Sequence, residues 1–233
     1  MTTNCDIIPF PELPESRPGI SHQYAYLRLR HALMVGAIAP GVSLTIKDLA
    51  KLLEVSATPV REALRQLSSE NALVTLKNRR IQVPEMTPAR LQSLVSLRCH
   101  LEVYAALQAL PYINQVLIDE VERIDLEIDA RLEQGDRGEM VILNQKLHST
   151  IYRAHPEQVV MPMIESLWLQ LGPFMGVAAK HQAIASVPDH HKEMVSAMRQ
   201  GDESLLANGI EADIRDSIAL ADIAMFDQLS GHD

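Results

Sequence analysis

Residues 58–67, Thr-Pro-Val-Arg-Glu-Ala-Leu-Arg-Gln-Leu, constrain the fold of this chain more than any other stretch. Thr58 suits a helix N-cap, where its hydroxyl accepts from a free amide of the first turn, and Pro59 suits the first helical position. Val60, Ala63, Leu64 and Leu67 then fall on one face, while Arg61 and Arg65 share another. One apolar face for docking and two guanidiniums turned away suit a helix laid along DNA. Taken alone, the decapeptide reads equally well as a surface helix with two solvated arginines.

The flanking residues decide between these readings. Residues 44–53 form a second short amphipathic pattern, and Glu54-Val55-Ser56-Ala57 is a tight connection. Helix, short turn, helix is the arrangement that places a second helix in the major groove. Downstream, 73–76 and 81–83 are short β-prone runs separated by Lys77, Asn78, Arg79 and Arg80, a basic hairpin tip suited to phosphates. Upstream, 24–38 reads as a helix ending near Pro40-Gly41. A winged helix-turn-helix is predicted over 21–84. Ser56, Thr58 and Arg61 start its recognition helix, Arg65 and Lys47 lie within backbone reach, and Asn78 with Arg79 supply the wing. Arg61 or Arg65 is the expected base reader, because a guanidinium matches the acceptor pair on guanine.

These pieces resemble the DNA-binding domain of the GntR family of bacterial transcription regulators. The resemblance rests on Tyr26-Leu-Arg28, Gly36-Ala-Ile-Ala-Pro-Gly41, Asp48-Leu-Ala50, Val55-Ser56 and the run from Thr58 to Arg65. Two positions depart from the family pattern. Asn71 stands where Gly usually ends the recognition helix, and Asn tolerates a left-handed C-cap. Arg80 stands where the wing tip usually has Gly, a less comfortable residue for a turn.

Charge divides along the same line. Residues 21–84 carry nine Lys/Arg against four Asp/Glu, and 85–233 carry eleven against twenty-three, within a chain of net charge −9. An acidic total argues weakly against nucleic acid, but a basic head on an acidic body argues for it, since phosphate attraction is local to the face presented. Cys5 and Cys99 offer no disulfide framework, and no apolar run approaches the roughly 18 residues of a membrane span. A cytoplasmic protein is expected. Residues 1–20 hold four prolines and read as an arm.

Beyond a linker at 85–88, the pattern is helical throughout. Helices are expected over 88–110, 114–134, 138–154, 157–180 with an interruption near Gly172-Pro173, 188–200 and 202–228. Gly135-Asp136 and Gly201-Asp202 each set a terminator beside a new N-cap. The fold class is therefore mostly α: an N-terminal winged helix-turn-helix plus a C-terminal all-α antiparallel helical bundle over 89–229.

This second domain is similar to the effector-binding FCD domain of the FadR subfamily. The similarity rests on Val95-Ser-Leu-Arg98 with Leu101-Glu102, on Asn144-Gln-Lys-Leu-His148, and on residues 191–198 followed by Gly201-Asp202. It implies a divalent metal held by Asn144, His148, His191 and Asp213, with Asp213 where a third histidine is usual. Asn144 and His148 are four apart and share a helix face; His191 and Asp213 lie level on consecutive antiparallel helices. Such mixed nitrogen and oxygen donors suit Zn, Ni, Mn or Fe(II). The similarity also implies that Arg98 binds an effector, through two parallel hydrogen bonds to a carboxylate; a bridge to Glu102 one turn on is the plainer alternative.

The expected function is a ligand-responsive repressor, not an enzyme. It binds a near-palindromic double-stranded operator as a homodimer and is released by a small carboxylate metabolite. Activation, a metal-free effector pocket, an adaptor without effector and a metal-dependent enzyme are the competing readings.

Overall fold

The computed structural model describes residues 21–180 and 190–230. The arm at 1–20 and the start of the helix expected from 188 lie outside the described residues. The chain divides into two units, one ending at Thr87 and joined by Trp168–Gly176, the other holding the remaining residues from Pro88 onward.

In the first unit, α1 (Ser21–Met34), α2 (Ile46–Leu52) and α3 (Ala57–Ser69) enclose a core of Leu29, Leu33, Leu49, Leu64 and Leu67. A three-stranded antiparallel sheet joins them: β1 (Ser43–Leu44), β2 (Val74–Thr75) and β3 (Ile81–Gln82), in the order β1-β3-β2. The register pairs Ser43 with Gln82 and Val74 with Gln82 from the other side. Strand β1 takes Leu44 out of the expected second helix. Thr45 is the N-cap instead, its hydroxyl accepting from the Asp48 amide at 3.1 Å.

Leu169, Gly172 and Gly176 belong to this unit although they lie far along the chain. Leu169 is 1 % exposed and packs in the same core, and its backbone neighbours approach α1 closely enough that only glycine fits. That close approach is why residues assigned from sequence to the bundle group with the head.

The second unit contains α4 (Pro88–Ala109), α5 (Gln115–Gln134), α6 (Arg137–Tyr152), α8 (His191–Gln200) and α9 (Glu203–Ser230), together with parts of α7 (Met161–Lys180). Pairs α5–α6, α4–α9 and α8–α9 pack side by side, with α5 also meeting α8 and α4 meeting α6. Gly135 closes α5 with φ +74°, and the Asp136 carboxylate caps α6 by accepting from the Glu139 amide at 3.2 Å. Helix α7 does not break at Gly172-Pro173; it runs through Pro173 and begins at Met161, not at 157. A proline in mid-helix removes one amide donor, and α7 retains its helical path around that gap.

Candidate DNA-binding face and buried polar centre

Helix α3 buries Val60, Ala63, Leu64 and Leu67, the four residues whose spacing predicts the docking face. Its start differs from expectation. Ser56, in extended conformation, is the N-cap, and Ala57 is the first helical residue, so Thr58 and Pro59 lie within the first turn. The cause is local: Glu54 takes φ +55° and the Val55 amide bonds Ala50 O at 3.0 Å, turning the chain into α3 earlier. Proline is tolerated there because first-turn amides have no intrahelical acceptor.

Lys47, Ser56, Thr58, Arg61, Arg65, Asn78 and Arg79 are all exposed. Arg65 is held by Glu62 at 2.8 Å, a solvated pair whose contribution to stability is small. At the wing tip the backbone strain falls on Arg79, with φ +62°, and not on Arg80. The Arg79 amide donates to Leu76 O at 2.9 Å, and the Arg80 amide donates to Asn78 Oδ1 at 3.1 Å. Asn71 takes φ +61°, the left-handed conformation expected of it.

Among the described residues, the bundle holds five buried polar or charged residues: Glu102, Asp125, His148, His191 and Asp213. They are joined. His148 Nε2 lies 3.0 Å from Asp213 Oδ2, and His191 Nε2 lies 3.6 Å from Asp213 Oδ1. His191 Nδ1 lies 2.6 Å from Asp125 Oδ1, and His148 Nδ1 lies 2.8 Å from the Tyr152 hydroxyl. That hydroxyl donates to Glu102 Oε2 at 2.9 Å, and Arg98 Nε donates to Glu102 Oε1 at 2.6 Å. Helices α4, α5, α6, α8 and α9 each contribute.

Charge is tightly managed here. Burial raises the Asp213 carboxyl, but the His148 hydrogen bond and the charges of His148, His191 and Arg98 outweigh it and pull the group down to about 2. Burial pushes the Tyr152 phenol well above its ordinary value, reinforced by Glu102. Burial disfavours the Arg98 cation, yet Glu102 overcomes this and the guanidinium holds its proton more firmly than usual.

One ligand atom each from His148, His191 and Asp213 lie within 4.8 Å of one another, close enough to share a metal ion. The donor set passes a second test. With an Nδ1 proton directed to Asp125, the neutral form of His191 presents its Nε2 lone pair toward the Asp213 carboxylate, while the charged form presents an N–H there. Either a proton or a metal ion can therefore sit between these two groups. A carboxylate behind the imidazole is the usual outer partner of a metal-bound histidine.

Among the sequence-predicted residues, His148, His191 and Asp213 converge, and Asn144 is half-buried one turn before His148. Arg98 engages Glu102, the plainer alternative. Asp125 and Tyr152 were not anticipated, although both left a signal. Asp125 and His148 stand at similar distances from the α5–α6 turn, and Tyr152 follows His148 by four residues on the same face.

A winged helix-turn-helix head with a helical second domain built around a buried polar centre defines a DNA-binding transcription regulator. Comparison with known proteins specifies it. Residues 22–83 match the family described as bacterial regulatory proteins, gntR family, and residues 93–216 match the FCD domain. The chain belongs to the GntR family and carries an FCD domain. It is similar to the HTH-type transcriptional regulator McbR of Escherichia coli K12, with 33 % identity over 62 % of this chain and 66 % of McbR. It is also similar to the gluconate operon transcriptional repressor of Bacillus subtilis 168, with 22 % identity over 90 % of this chain and 87 % of that one. The solved E. coli McbR/YncC structure superposes with a TM-score of 0.81 at 25 % identity, covering 91 % of this chain and all of the other. Among the described residues no helix is long and apolar enough to cross a membrane.

Proposed function

We propose that this regulator is a metal-dependent sensor of a small organic acid that represses transcription as a homodimer and leaves its operator when the acid binds. The carrying observation is the convergence of His148, His191 and Asp213 in a buried cluster beside Arg98. The role is regulatory, not enzymatic, and is exercised in the cytoplasm, where the operator lies.

His148, His191 and Asp213 would hold a divalent transition metal, with Asn144 the fourth proposed donor. When bound, the ion supplies Lewis-acid attraction for a carboxylate. Arg98 spends Nε and one Nη on Glu102 and has further N–H donors for the effector. A similar protein represses a gluconate operon, and gluconate is itself a carboxylate. Binding shifts the dimer between geometries only as far as the acid prefers one of them. Ser56, Thr58, Arg61 and Arg65 meet the major groove, with Lys47, Asn78 and Arg79 on the backbone.

The test is metal content of the purified protein beside a His148→Ala/His191→Ala variant. About one equivalent of Zn, Ni, Mn or Fe in the wild type, lost in the variant, supports the reading. No uptake after incubation with any of these ions overturns the metal assignment. Organic acids are then screened for release of duplex DNA, selected from a random pool, from the intact protein.

A further inference from the structure

The metal reading accounts for His148, His191 and Asp213 and leaves Glu102 and Tyr152 without a role. Both are fully buried, on α4 and α6. A buried carboxylate and a buried phenol need hydrogen-bond partners, and these two have each other at 2.9 Å.

The direction of that bond has a consequence for the histidine. A phenol has one proton to donate. The Glu102 carboxylate, ion-paired with Arg98, can only accept, so the Tyr152 proton points to Glu102. Toward His148 the phenol oxygen is then an acceptor alone. The 2.8 Å approach of His148 Nδ1 therefore requires a proton on Nδ1, donated to Tyr152. Both ring nitrogens thus face acceptors, so the imidazolium donates to Tyr152 and Asp213 alike; once one proton is lost, the proton retained on Nδ1 leaves the lone pair on Nε2, the nitrogen facing Asp213. A chain Arg98–Glu102–Tyr152–His148 carries hydrogen-bond polarity from α4 to the ligand nitrogen on α6.

We propose that Glu102 and Tyr152 are positioning residues that fix His148 in the Nδ1–H tautomer and so hold Nε2 ready for a metal ion. This rests on the metal reading above, but its core claim concerns the metal-free protein. Without the chain, Asp213 would draw the proton to Nε2, and metal would have to displace it. Outer partners of this kind typically change metal affinity about 10–100-fold.

The experiment is nitrogen-15 NMR of the histidine rings in the full-length, metal-free chain, at a pH where His148 is neutral, with Zn affinity measured by chelator competition. The expected result is an Nδ1–H tautomer for His148 in the wild type and an Nε2–H tautomer in Tyr152→Phe, with Zn bound about 10–100-fold more weakly by the variant. A wild-type Nε2–H tautomer overturns the proposal without any variant, which covers the case in which Tyr152→Phe fails to fold. Wild-type Zn binding with an unchanged tautomer and affinity in Tyr152→Phe overturns it while the metal site stands. Absence of Zn binding in the wild type sinks the metal reading, and the tautomer comparison still decides the relay.

Discussion

Asp125 Oδ1 lies 2.6 Å from Nδ1 of His191, although 66 residues separate them in the chain. The contact joins α5 to α8, two helices that pack together, and both side chains are more than nine-tenths buried. A carboxylate is removed from water at such a position only where it is well compensated. Its partner nitrogen is the one turned away from Asp213, so in the neutral imidazole Asp125 favours the proton on Nδ1. Asp125→Ala is expected to weaken Zn binding about 10–100-fold, and Asp125→Asn, which keeps an acceptor oxygen, to recover part of the loss. Chelator competition measures both. Equal affinity in Asp125→Ala and wild type would leave the contact a packing feature only.

At the proposed DNA face, the seven exposed polar residues divide into two kinds. Arg61 lies in the second turn of α3 and Lys47 on α2. Arg61→Ala is expected to cost roughly 1–3 kcal/mol on a selected operator and to relax preference at one base position. Lys47→Ala is expected to weaken all duplexes alike and to reduce the slope of log affinity against log salt by about 1. Fluorescence anisotropy on selected and scrambled duplexes at several salt concentrations separates the two. A salt-slope change without specificity loss in Arg61→Ala would move that residue to the phosphates.

Much of this was legible because the signals are local. Val60, Ala63, Leu64 and Leu67 bury as their spacing requires, and the Gly135-Asp136 pair ends one helix and caps the next. The convergence of His148, His191 and Asp213 agrees with the resemblance and the helix spacing, while their role as ligands is the proposal made above. Three features were not legible. Strand β1 is two residues long and exists only by pairing with β3, which no local propensity reports. Inclusion of Leu169, Gly172 and Gly176 in the first unit depends on backbone approach between distant segments. The pairing of Asp125 with His191 depends on the packing of α5 against α8, which sequence position alone does not give. In each case the determinant is a tertiary partner, and periodicity carries none of that information.

Tyr26 gives the head a pH signature. Its hydroxyl donates to Glu70 Oε1 at 2.7 Å, tying α1 to the C-cap of α3. Burial first, then the hydrogen bond and negative charge of Glu70, push the phenol up to about 12 from an ordinary 10. The folded state therefore binds this proton more tightly than the unfolded chain. The resulting stability is complete below pH 10 and is lost as pH rises toward about 12. The phenol is partly exposed, so the effect is modest. Urea midpoints of wild type and Tyr26→Phe should converge over that range, and the variant should lack one late-titrating phenol at 295 nm. A constant gap between midpoints would show that the proton is not held by folding.

Gly36 and Gly172 test the packing of the first unit. Gly36 has φ +68°, and a Cβ built there would lie 2.2 Å from Gly176 Cα. A Cβ at Gly172 would lie 2.3 Å from Leu33 O and 2.6 Å from Met34 O. These neighbours are backbone atoms, which cannot swing aside as a side-chain tip does, so the added methyl must force the segments apart. Gly135 is the control: its φ is +74°, but nothing lies within 4 Å of the added carbon. Gly135→Ala should cost about 1 kcal/mol through backbone strain alone. Gly172→Ala, with no positive φ, should cost on the order of 3 kcal/mol through overpacking alone, and Gly36→Ala, combining both, more than either. Chemical unfolding monitored by circular dichroism gives the order. A Gly172→Ala protein as stable as Gly135→Ala would mean that this backbone approach is not a fixed part of the fold in solution.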